Sequence, residues 1–487
     1  MSNSVLTQET YSNELEVYVN QERAAVDLIH SIGKLMFEKS IELVLFRNHL
    51  VDTSITEILR LHKYSAEMVG KPISVFDSAE LAREIFNMDL APAKIDIGKL
   101  ADEWLSERET YKSTKDFLED KFQNFLTTES KPMEPRDVIL YGFGRIGRLA
   151  ARELISQAGK GQQLRLRAIV MRSVDELSMS KRASLLENDS VHGRFKGTVD
   201  TDFDNSCLII NGQRVNMIGA SDPSSIDYTK YGISNALVLD NTGAFRDKEA
   251  LSLHLKSKGV AKVILTAPGK GIPNIVYGIN HRNLDIEKMN IFSAASCTTN
   301  AISPILKVMD DAFGVKSGHI ETVHAYTNDQ NLLDNMHSKH RRGRSAAVNM
   351  VITETGAGKA VTKVIPSLDK KLTANAVRVP TPNGSLAIMN IELGEKVTKA
   401  QVQELMKTNA LKGELVNQIF YSINEELVSN DIIGNECCSV FDSPATIVSE
   451  DGKRVVLYTW YDNEYGYTKQ VIRLAKYIAK VRRNIYY

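Results

Sequence analysis

The chain is poor in cysteine, has no surplus of charge of either sign and contains no long hydrophobic run. Its four cysteines form no Cys-x-x-Cys pair and no zinc-like spacing, so we expect neither a disulfide framework nor a metal site. Because 60 basic residues balance 60 acidic ones, bulk charge gives no support for a nucleic-acid or membrane-surface partner. No segment approaches the roughly 18 uncharged apolar residues that a membrane-spanning helix needs.

The residues that are present describe an ordinary globular chain. With 487 residues, 43% hydrophobic and 25% charged, the sequence predicts about two to four domains with large apolar cores. The polar and acidic segment 1–17 lacks the basic and then apolar pattern of a signal peptide. The adjacent Cys437 and Cys438 look like buried small residues, which suits a reducing compartment. We therefore expect a cytoplasmic protein.

The N-terminal part of the chain has a helical pattern. Its apolar residues recur at three- and four-residue steps, as in the set Val26, Ile29, Ile32 and Met36. Capping boxes that open further helices are predicted at Ser54–Glu57 and at Asp77–Glu80. The pattern changes at Lys131–Pro135, so we predict an all-helical module over residues 1–134.

After Pro135, short apolar strands alternate with helical stretches. The predicted buried strands are Val138–Tyr141, Leu164–Val170, Ala236–Leu239, Val263–Thr266 and Ile291–Ala294. This alternation is typical of a doubly wound parallel sheet, which we assign to residues 135–296.

From about Ser317 the strands change type. Apolar and polar residues alternate more regularly in the predicted strands His319–Tyr326, Ala374–Val379, Ser385–Leu393 and Arg454–Tyr461. This pattern predicts a second domain, of the α+β class with a mixed or antiparallel sheet, over residues 297–462. Thr468–Arg483 reads as an amphipathic basic helix, and we predict that the segment 463–487 returns to the first of these two domains.

A glycine-rich turn follows the first predicted strand. Gly142, Gly144 and Gly147 match the Gly-x-Gly-x-x-Gly dinucleotide fingerprint, with Arg145 and Ile146 between them. The first glycine permits a tight turn, the second a close backbone approach to a pyrophosphate, and the third close packing of helix and strand. A turn without a ligand is the alternative, but the strand–turn–helix context favours a Rossmann domain that binds NAD(P).

The end of the second strand bears on the choice of cofactor. NAD sites usually place an acid there for the ribose 2′-hydroxyl, and NADP sites often place an arginine. Met171 and Arg172 stand at this point, and Asp175 and Glu176 come later. Arg172 either binds a 2′-phosphate or is a solvated surface residue. We expect NADP, or both NADP and NAD, as the cofactor.

Cys297 lies in the polar run Ser296–Asn300, between a predicted strand and a predicted helix. A position near a helix N-terminus lowers the pKa of a thiol, because the helix dipole favours the thiolate. The neighbouring hydroxyl and backbone N–H groups suit an oxyanion or a phosphate. An inert buried thiol is the usual alternative, but the polar surroundings argue against simple core packing. We therefore predict that Cys297 is a nucleophile.

A thiol nucleophile needs a base. His324 lies at the end of a predicted strand, where side chains meet a cleft, and is the favoured candidate. His319 on the same strand is its competitor, and sequence spacing alone places neither histidine beside Cys297.

Five blocks of sequence resemble the glyceraldehyde-3-phosphate dehydrogenase family, in the family's order. The resemblance runs from about Arg136 to the end of the chain, and the module before it is not part of the family's ordinary architecture. The blocks are Gly142–Arg148, Ser296–Asn300, His324–Asp329, Arg378–Thr381 and Trp460–Tyr467. The resemblance implies a phosphorylating oxidation of glyceraldehyde 3-phosphate to 1,3-bisphosphoglycerate, with 297–462 as the catalytic domain.

The resemblance also implies a role for each matching residue. Cys297 would form a thiohemiacetal with the aldehyde, and His324 would act as the base while hydride passes to NAD(P). Inorganic phosphate would then release the thioester as an acyl phosphate. At the substrate-phosphate site the matching residues are Thr327 and Arg378. At the inorganic-phosphate site they are Ser296, Thr298, Thr355 and Gly356. At the cofactor site they are Asn241, Thr242, Gly243, Thr266 and Asn463.

Three departures from the family pattern matter. Met171-Arg172 stands where NAD-type members carry an aspartate, and Asn335-Met336 stands in place of a Leu-Pro pair. Both changes resemble NADP-accepting members. Ala301 replaces a second cysteine, which should not abolish activity because that cysteine is not the nucleophile.

Two other functions compete with this interpretation. A sister enzyme acting on erythrose 4-phosphate would keep Cys297 and His324 but favour water over phosphate at the thioester, which the intact inorganic-phosphate residues disfavour. A catalytically weak scaffold acting through the N-terminal module is disfavoured by the complete catalytic set. That module either packs and assembles the enzyme, which we expect, or binds a regulatory partner. The family forms homotetramers, so we expect a homo-oligomer; the glycolytic or gluconeogenic direction stays open.

Overall fold

The computed structural model describes residues 8–126, 133–353 and 355–487. Lys131 and Pro132, at the predicted domain boundary, lie outside the described residues, as do residues 1–7 of the polar N-terminal segment. The chain forms two compact units, Met1–Met133 with Arg482–Tyr487 and Glu134–Val481. In the part of the chain that the structure describes, no helix combines the length and apolar character needed to span a membrane.

The first unit combines helices with a small sheet. Its helices are α1 (Gln8–Lys34), α2 (Ile55–Val69), α3 (Val75–Asn87), α4 (Ile97–Glu107) and α5 (Thr114–Lys121), and its first strands are β1 (Glu42–Leu45), β2 (Asn48–His49) and β3 (Ala93–Asp96). The Ser54 side chain accepts the N–H of Glu57 and opens α2, but the Glu57 carboxylate accepts from Arg60 instead, so only half of the predicted capping box forms. The predicted cap at Asp77 is wrong: Ser74 accepts the N–H of Phe76, so α3 begins nearly one turn earlier.

The sheet of the first unit corrects the prediction of an all-helical module. Its strand order is β2-β1-β3 followed by the C-terminal strand Asn484–Tyr486, which runs parallel to β3 with Asn484 opposite Ala93. Each of these strands has at most four residues. Segments this short carry too few residues to show a period of two, and the last strand comes from the far end of the chain.

The core of the first unit lies between α1, its helical neighbours and this sheet. The buried side of α1 is formed by Ala24, Ala25, Leu28 and Ile32, and Leu35, directly after the helix, joins the same core. Of the four residues that the sequence pattern indicated, Ile32 and Met36 are buried and Ile29 packs against the core, whereas Val26 is 50% exposed. Helix α1 packs against α2 and α3, which is how an apolar helix face is removed from water.

The second unit contains the predicted Rossmann domain. Its strands are β4 (Arg136–Tyr141), β5 (Leu164–Met171), β6 (Asn188–Asp189), β7 (Gly193–Arg194), β8 (Val199–Asp202), β9 (Cys207–Ile210), β10 (Gln213–Gly219), β11 (Ala236–Asp240), β12 (Val260–Leu265) and β13 (Ile291–Ser293), and its helices are α6 (Arg145–Ser156), α7 (Glu176–Glu187) and α8 (Lys248–Lys256). The strand order is β13-β12-β11-β4-β5-β10-β9-β8. The first six strands of this order are parallel, and β9 and β8 add an antiparallel edge. The strand order reverses beside β4, where nucleotides bind in such sheets.

A second sheet follows along the chain, as predicted from the change in strand pattern. Its strands are β14 (Val315–Ala325), β15 (Val351–Thr353), β16 (Leu372–Val379), β17 (Ser385–Leu393), β18 (Ile419–Ser422), β19 (Ser439–Asp442), β20 (Ile447–Val448) and β21 (Arg454–Tyr461), with helices α9 (Cys297–Phe313), α10 (Ala357–Val364), α11 (Lys399–Leu411) and α12 (Tyr465–Ile478). The order is β15-β16-β14-β17-β21-β19-β18, and β20 pairs with β21. Parallel and antiparallel pairs both occur, so the sheet is mixed.

The C-terminal segment corrects one further prediction. Helix α12 ends at Ile478, not at Arg483, since Lys480 adopts a left-handed conformation with φ +59°; residues 482–487 then belong to the first unit and not to the Rossmann domain as predicted. Val471, Leu474 and Ile478 of α12 lie in the same buried cluster as Val138 of β4, so the helix packs into the Rossmann core. The finer division of the second unit at residues 296/297 and 462/463 stays a prediction.

Candidate active site

Cys297 is the first residue of α9, directly after a turn that leaves the Rossmann sheet. Strand β13 ends at Ser293, and Ala295 adopts a left-handed conformation with φ +56°. The Ser296 hydroxyl then caps α9 by accepting the N–H of Thr299 at 3.0 Å. An uncommon backbone conformation and a capping side chain therefore set the position of the thiol.

His324 meets the thiol from the end of β14. The distance from Cys297 Sγ to His324 Nε2 is 3.6 Å, and His324 Nδ1 lies 2.7 Å from the carbonyl oxygen of Ala325. Because a carbonyl oxygen only accepts, Nδ1 carries the ring proton and Nε2 presents its lone pair to the thiol. His319, the competing candidate, is exposed and bonds to Thr373 instead.

Burial sets the charge state of this pair. It raises the pKa of the Cys297 thiol, although the nearby charge of Arg378 lowers it. Burial and the charges of Arg378 and Arg342 lower the pKa of His324 to about 4. The expectation that the helix N-terminus makes Cys297 acidic is therefore not met, since loss of solvation outweighs the favourable charges. Both shifts favour the neutral thiol and the neutral imidazole over a thiolate–imidazolium pair.

Arg378 and Thr327 lie together next to His324. Arg378 is opposite His324 in the parallel ladder of β16 and β14. Its Nη1 atom donates to the Ala325 carbonyl at 3.0 Å and to Thr327 Oγ1 at 3.3 Å. A guanidinium beside a hydroxyl is a suitable binding group for phosphate oxygens, so the structure groups the two residues that the resemblance assigns to the substrate phosphate.

The residues assigned to the second phosphate come from two places. Thr298 follows Cys297, and its hydroxyl lies 3.0 Å from that of Tyr461, a residue that the sequence reasoning did not single out. Thr355 and Gly356 precede α10, where the Thr355 hydroxyl accepts the N–H of Ala357. Helix α10, which follows Thr355 and Gly356, packs against α9, the helix that begins at Cys297.

The side chain of Asn463 is held by Ser385, a residue that belongs to none of the recognised motifs. Ser385 Oγ donates to Asn463 Oδ1 at 2.8 Å and accepts the Ala325 N–H at 3.1 Å. Ser385 therefore links Asn463 to the end of the strand that carries His324. With Oδ1 engaged, the amide N–H group of Asn463 is oriented as the donor for a ligand.

A cleft of about 430 Å³ lies at the carboxyl ends of β4, β5 and β11. Its lining includes Gly142 and Gly144 of the glycine turn, Arg172, and Asn241 and Thr242. Ligands in doubly wound sheets bind at this edge, and a volume of this size is ordinary for a small-molecule site. Five of the eleven sequence-predicted cofactor residues thus line one cleft, and the lining does not include the other six, namely Arg145, Ile146, Gly147, Gly243, Thr266 and Asn463.

The cleft meets the requirements of a dinucleotide. A side-chain carbon added at Gly144 would meet nothing within 4 Å, whereas one at Gly147 would collide with the Gly142 carbonyl. The first position leaves space for a ligand at the start of α6, and the second requires close helix–strand packing. Tyr141 and Asn241 are among the lining residues, and the buried Tyr141 hydroxyl and Asn241 Oδ1 have no hydrogen-bond partner among the described residues.

Two other predicted cofactor residues, Arg145 and Ile146, have side chains that are engaged outside the cleft. The Arg145 side chain pairs with Glu464 at 2.5 Å and with Asp189 at 3.2 Å, and the Ile146 side chain packs against the Rossmann core. Their contribution to the cleft is therefore the backbone at the start of α6. Gly243 has φ +66° in the turn after β11, where only glycine is unstrained.

Asp240 fixes the loop that follows it. Its Oδ1 atom accepts both the N–H and the hydroxyl of Thr242, and its Oδ2 atom lies 3.0 Å from Nε2 of the buried His254. Its carbonyl oxygen accepts the hydroxyl of Thr266 at 3.0 Å. Sequence reasoning did not identify Asp240 or His254, because neither stands in a recognisable motif.

Two family models match the second unit. The model described as the glyceraldehyde 3-phosphate dehydrogenase NAD binding domain matches residues 136–248, and the model of the C-terminal domain matches residues 296–463. These ranges contain the glycine turn, the cleft, Cys297 and His324.

Known proteins resemble the chain over most of its length. It is 45% identical to a "glyceraldehyde-3-phosphate dehydrogenase-like protein" of Pseudomonas aeruginosa, over 93% of this chain and 98% of that protein. A match of that extent necessarily includes most of the residues before Arg136. "Glyceraldehyde-3-phosphate dehydrogenase 1" of Bacillus subtilis is 40% identical over 70% of this chain and 97% of its own length, and the Clostridium pasteurianum enzyme is 38% identical over 71% and 99%.

The match to the Pseudomonas protein shows that the N-terminal region also occurs in that relative, while the Bacillus and Clostridium enzymes leave nearly a third of the chain uncovered. The resemblance deduced from the five sequence blocks is confirmed. This chain belongs to the glyceraldehyde-3-phosphate dehydrogenase family of oxidoreductases.

Proposed function

We propose that this protein catalyses the phosphorylating oxidation of glyceraldehyde 3-phosphate through a thioester on Cys297. His324 Nε2 takes the thiol proton as the sulfur attacks the aldehyde carbon. The imidazolium then returns this proton to the aldehyde oxygen, which gives the thiohemiacetal and leaves His324 neutral again. The hydride of the thiohemiacetal carbon would pass to a nicotinamide ring whose carboxamide Asn463 would hold. As the hydride leaves the carbon, His324 removes the proton of the hydroxyl group, and the thioester carbonyl forms in the same step.

Inorganic phosphate completes the reaction. A phosphate oxygen attacks the thioester carbon, the carbon–sulfur bond breaks and the thiolate leaves, giving an acyl phosphate. Thr298, with Thr355 and Gly356 at the start of α10, is proposed to hold this phosphate, and Arg378 with Thr327 is proposed to hold the phosphate of the substrate. Hydroxyl groups, backbone N–H groups and a guanidinium all suit phosphate oxygens.

The observation that carries this proposal is the orientation of His324. Its Nδ1 proton is committed to the Ala325 carbonyl, so Nε2 faces Cys297 Sγ, 3.6 Å away, as an acceptor. A neutral thiol beside a neutral base allows a proton transfer that accompanies attack, without a standing ion pair. Asn463 is proposed to hold the nicotinamide carboxamide through its free amide N–H group.

NADP, or NADP together with NAD, is the proposed cofactor. No carboxylate lines the cleft, whose lining residues are all described, and Arg172 stands at the end of β5. An arginine at this position favours a 2′-phosphate over a ribose hydroxyl. The sequence left Arg172 open as a plain surface residue, and its place in the cleft lining supports the binding role.

A homo-oligomer, of four subunits as in the family, is also proposed. The segment 332–350 carries large apolar side chains that are 69–92% exposed: Leu332, Leu333, Met336, Val348 and Met350. A cluster of this kind favours burial against a second copy of the chain. Light scattering that gives the mass of a monomer, 54.3 kDa, would contradict this proposal.

The reaction is tested with purified full-length protein and each combination of aldehyde, cofactor and phosphate. Glyceraldehyde 3-phosphate should reduce NADP or NAD only when inorganic phosphate is present. Equal rates without phosphate would overturn the phosphorylating mechanism, and a preference for erythrose 4-phosphate would indicate the sister activity. Absence of turnover in all combinations would favour the scaffold hypothesis.

A further inference from the structure

A second arginine lines the nucleotide cleft, and no family motif contains it. Arg182 lies on α7, and its side chain is half-buried. Its Nη1 atom donates to the carbonyl oxygen of Phe143 at 3.3 Å, which places the guanidinium at the glycine turn. Arg172 and Arg182 are the two cationic residues in the cleft lining.

Neither arginine is neutralised by the protein. Among the ion pairs of the described residues, none includes Arg172 or Arg182. The first acidic residue in the sequence after β5 is Asp175. One of its carboxylate oxygens accepts the N–H of Ser178 and the other accepts the Ser178 hydroxyl, each at 2.9 Å. Asp175 therefore caps α7, and the cleft keeps two unpaired positive charges.

We propose that Arg182, together with Arg172, forms a clamp for the 2′-phosphate of an adenosine nucleotide, and that Arg182 makes the larger contribution. This assignment rests on the proposed use of NADP. Arg182 is the stronger anchor because Phe143 already holds its guanidinium, so little side-chain entropy is lost when a phosphate binds. Its Nε and second Nη groups remain as donors for a bidentate contact.

The position of the two arginines agrees with this ligand. The end of the second parallel strand and the first two glycines of the turn surround the adenosine ribose in Rossmann domains. Arg172 follows that strand end, and Arg182 reaches Phe143, the residue between the two glycines. The hydroxyls of Ser173 and Ser178 line the same side of the cleft and lie 3.2 Å apart. The Ser178 hydroxyl donates to Asp175, so the two guanidinium groups and the Ser173 hydroxyl remain as the donors suited to a phosphate dianion.

The experiment measures nucleotide binding by calorimetry with full-length protein, using probes that lack the nicotinamide. The wild-type protein should bind adenosine 2′,5′-bisphosphate more tightly than adenosine 5′-monophosphate. Arg182→Gln should weaken the bisphosphate by about 10- to 100-fold, the range expected for a lost charge-assisted contact, and leave the monophosphate nearly unchanged. Arg182→Lys should restore part of the difference.

Lys181→Gln is the matched control, because it removes the same charge from the exposed side of the same helix, outside the cleft lining. It should leave both affinities unchanged. Arg172→Gln should weaken the bisphosphate by a smaller factor than Arg182→Gln. Equal weakening of both probes by Arg182→Gln would overturn the proposal, since it would show a contact with the 5′-phosphate or a loss of structure. A wild-type protein with no preference for the bisphosphate would also overturn it.

This binding result is separable from the proposed reaction. Selective binding of the bisphosphate without any phosphate-dependent turnover would leave the clamp standing and refute the reaction. Phosphate-dependent turnover with equal use of NAD and NADP, unchanged in Arg182→Gln, would leave the reaction standing and refute the clamp.

Discussion

The two units of this chain differ in how far apart in sequence their interacting segments lie. In the second unit, Cys297 begins a helix, and His324 and Arg378 are neighbours on adjacent strands, so the candidate site is built from the ends of successive elements. In the first unit, the sheet is completed by the C-terminal strand, which follows the whole of the second unit in sequence. The contact of Cys297 with His324 thus joins segments that are close in sequence, whereas the sheet of the first unit needs a strand that follows the whole second unit, and closing a longer loop costs more chain entropy.

Contacts of the C-terminal segment show how much the first unit relies on it. Arg483 pairs at 3.3 Å with the buried Glu42, which Lys94 and His49 also contact. Burial opposes ionisation of Glu42, but these charged partners hold its pKa well below the usual value. The Tyr486 ring packs edge-on against Phe122 at 5.2 Å. We therefore expect changes in the second unit to affect chemistry, and changes in the last five residues to affect the stability of the first unit.

The largest effect is expected for Cys297→Ser. The hydroxyl is a far weaker nucleophile, so kcat should fall on the order of 10⁴-fold or more while nucleotide binding is retained. Cys207→Ser, in the buried edge of the Rossmann sheet, is the control and should retain activity. A Cys297→Ser protein with a normal rate would refute the covalent route.

His324→Asn should lower kcat by about 10²- to 10⁴-fold, the usual range for loss of a general base. His319→Asn is a matched control on the same strand and should retain a nearly normal rate, because His319 faces solvent. Steady-state rates of the two variants decide between the alternatives that the sequence left open. The reverse order of effects would place the base at His319.

Deletion of residues 483–487 should separate the two units in their response. The free energy of unfolding of the first unit should fall by roughly 3 kcal/mol or more, because buried Glu42 loses one partner and Phe122 loses its cover. Limited proteolysis should then cut within α1–α5, while kcat is preserved.

Ile485→Ala is the control for this deletion, since it shortens a 37% exposed side chain on the same strand and keeps the ladder. It should resist proteolysis like the wild-type protein. Unchanged protection in the deletion variant would show that the C-terminal strand does not stabilise the first unit, and a collapse of kcat would show that the two units are not independent in this respect.

The smallest effect concerns the charge state of the thiol. Because burial raises the pKa of Cys297, its alkylation by iodoacetamide in the ligand-free protein should keep rising with pH through neutrality and into the alkaline range. Arg378→Leu should move this profile to higher pH, since Arg378 lowers the pKa of the thiol. A rate that is constant below neutral pH would instead indicate a thiolate–imidazolium pair, as the helix position alone would favour.

Much of the second unit could be predicted because its signals are local. The glycine turn, the polar run at Cys297 and the strand pattern each lie within a few residues. Sequence spacing could not place either His324 or His319 beside Cys297, because that contact arises only where the fold brings the end of β14 to the start of α9. The pKa direction at Cys297 could not be predicted, because burial is a property of the folded unit and opposes the helix dipole.

The first unit was less predictable for the same physical reason. Its strands are too short to show a period, and the strand that completes them is the farthest segment of the chain. Arg182 was missed because it lies in an ordinary helical stretch, where only its reach to Phe143 distinguishes it.

Trapping of the thioester on Cys297 tests the central claim most directly. Without phosphate, one equivalent of glyceraldehyde 3-phosphate per chain should reduce one equivalent of NADP or NAD in a burst and then stop, and intact-mass spectrometry should show the acyl group on Cys297. Added phosphate should remove this group and restore continuous turnover. Continuous turnover without phosphate, or a burst with no acyl group on Cys297, would contradict the account.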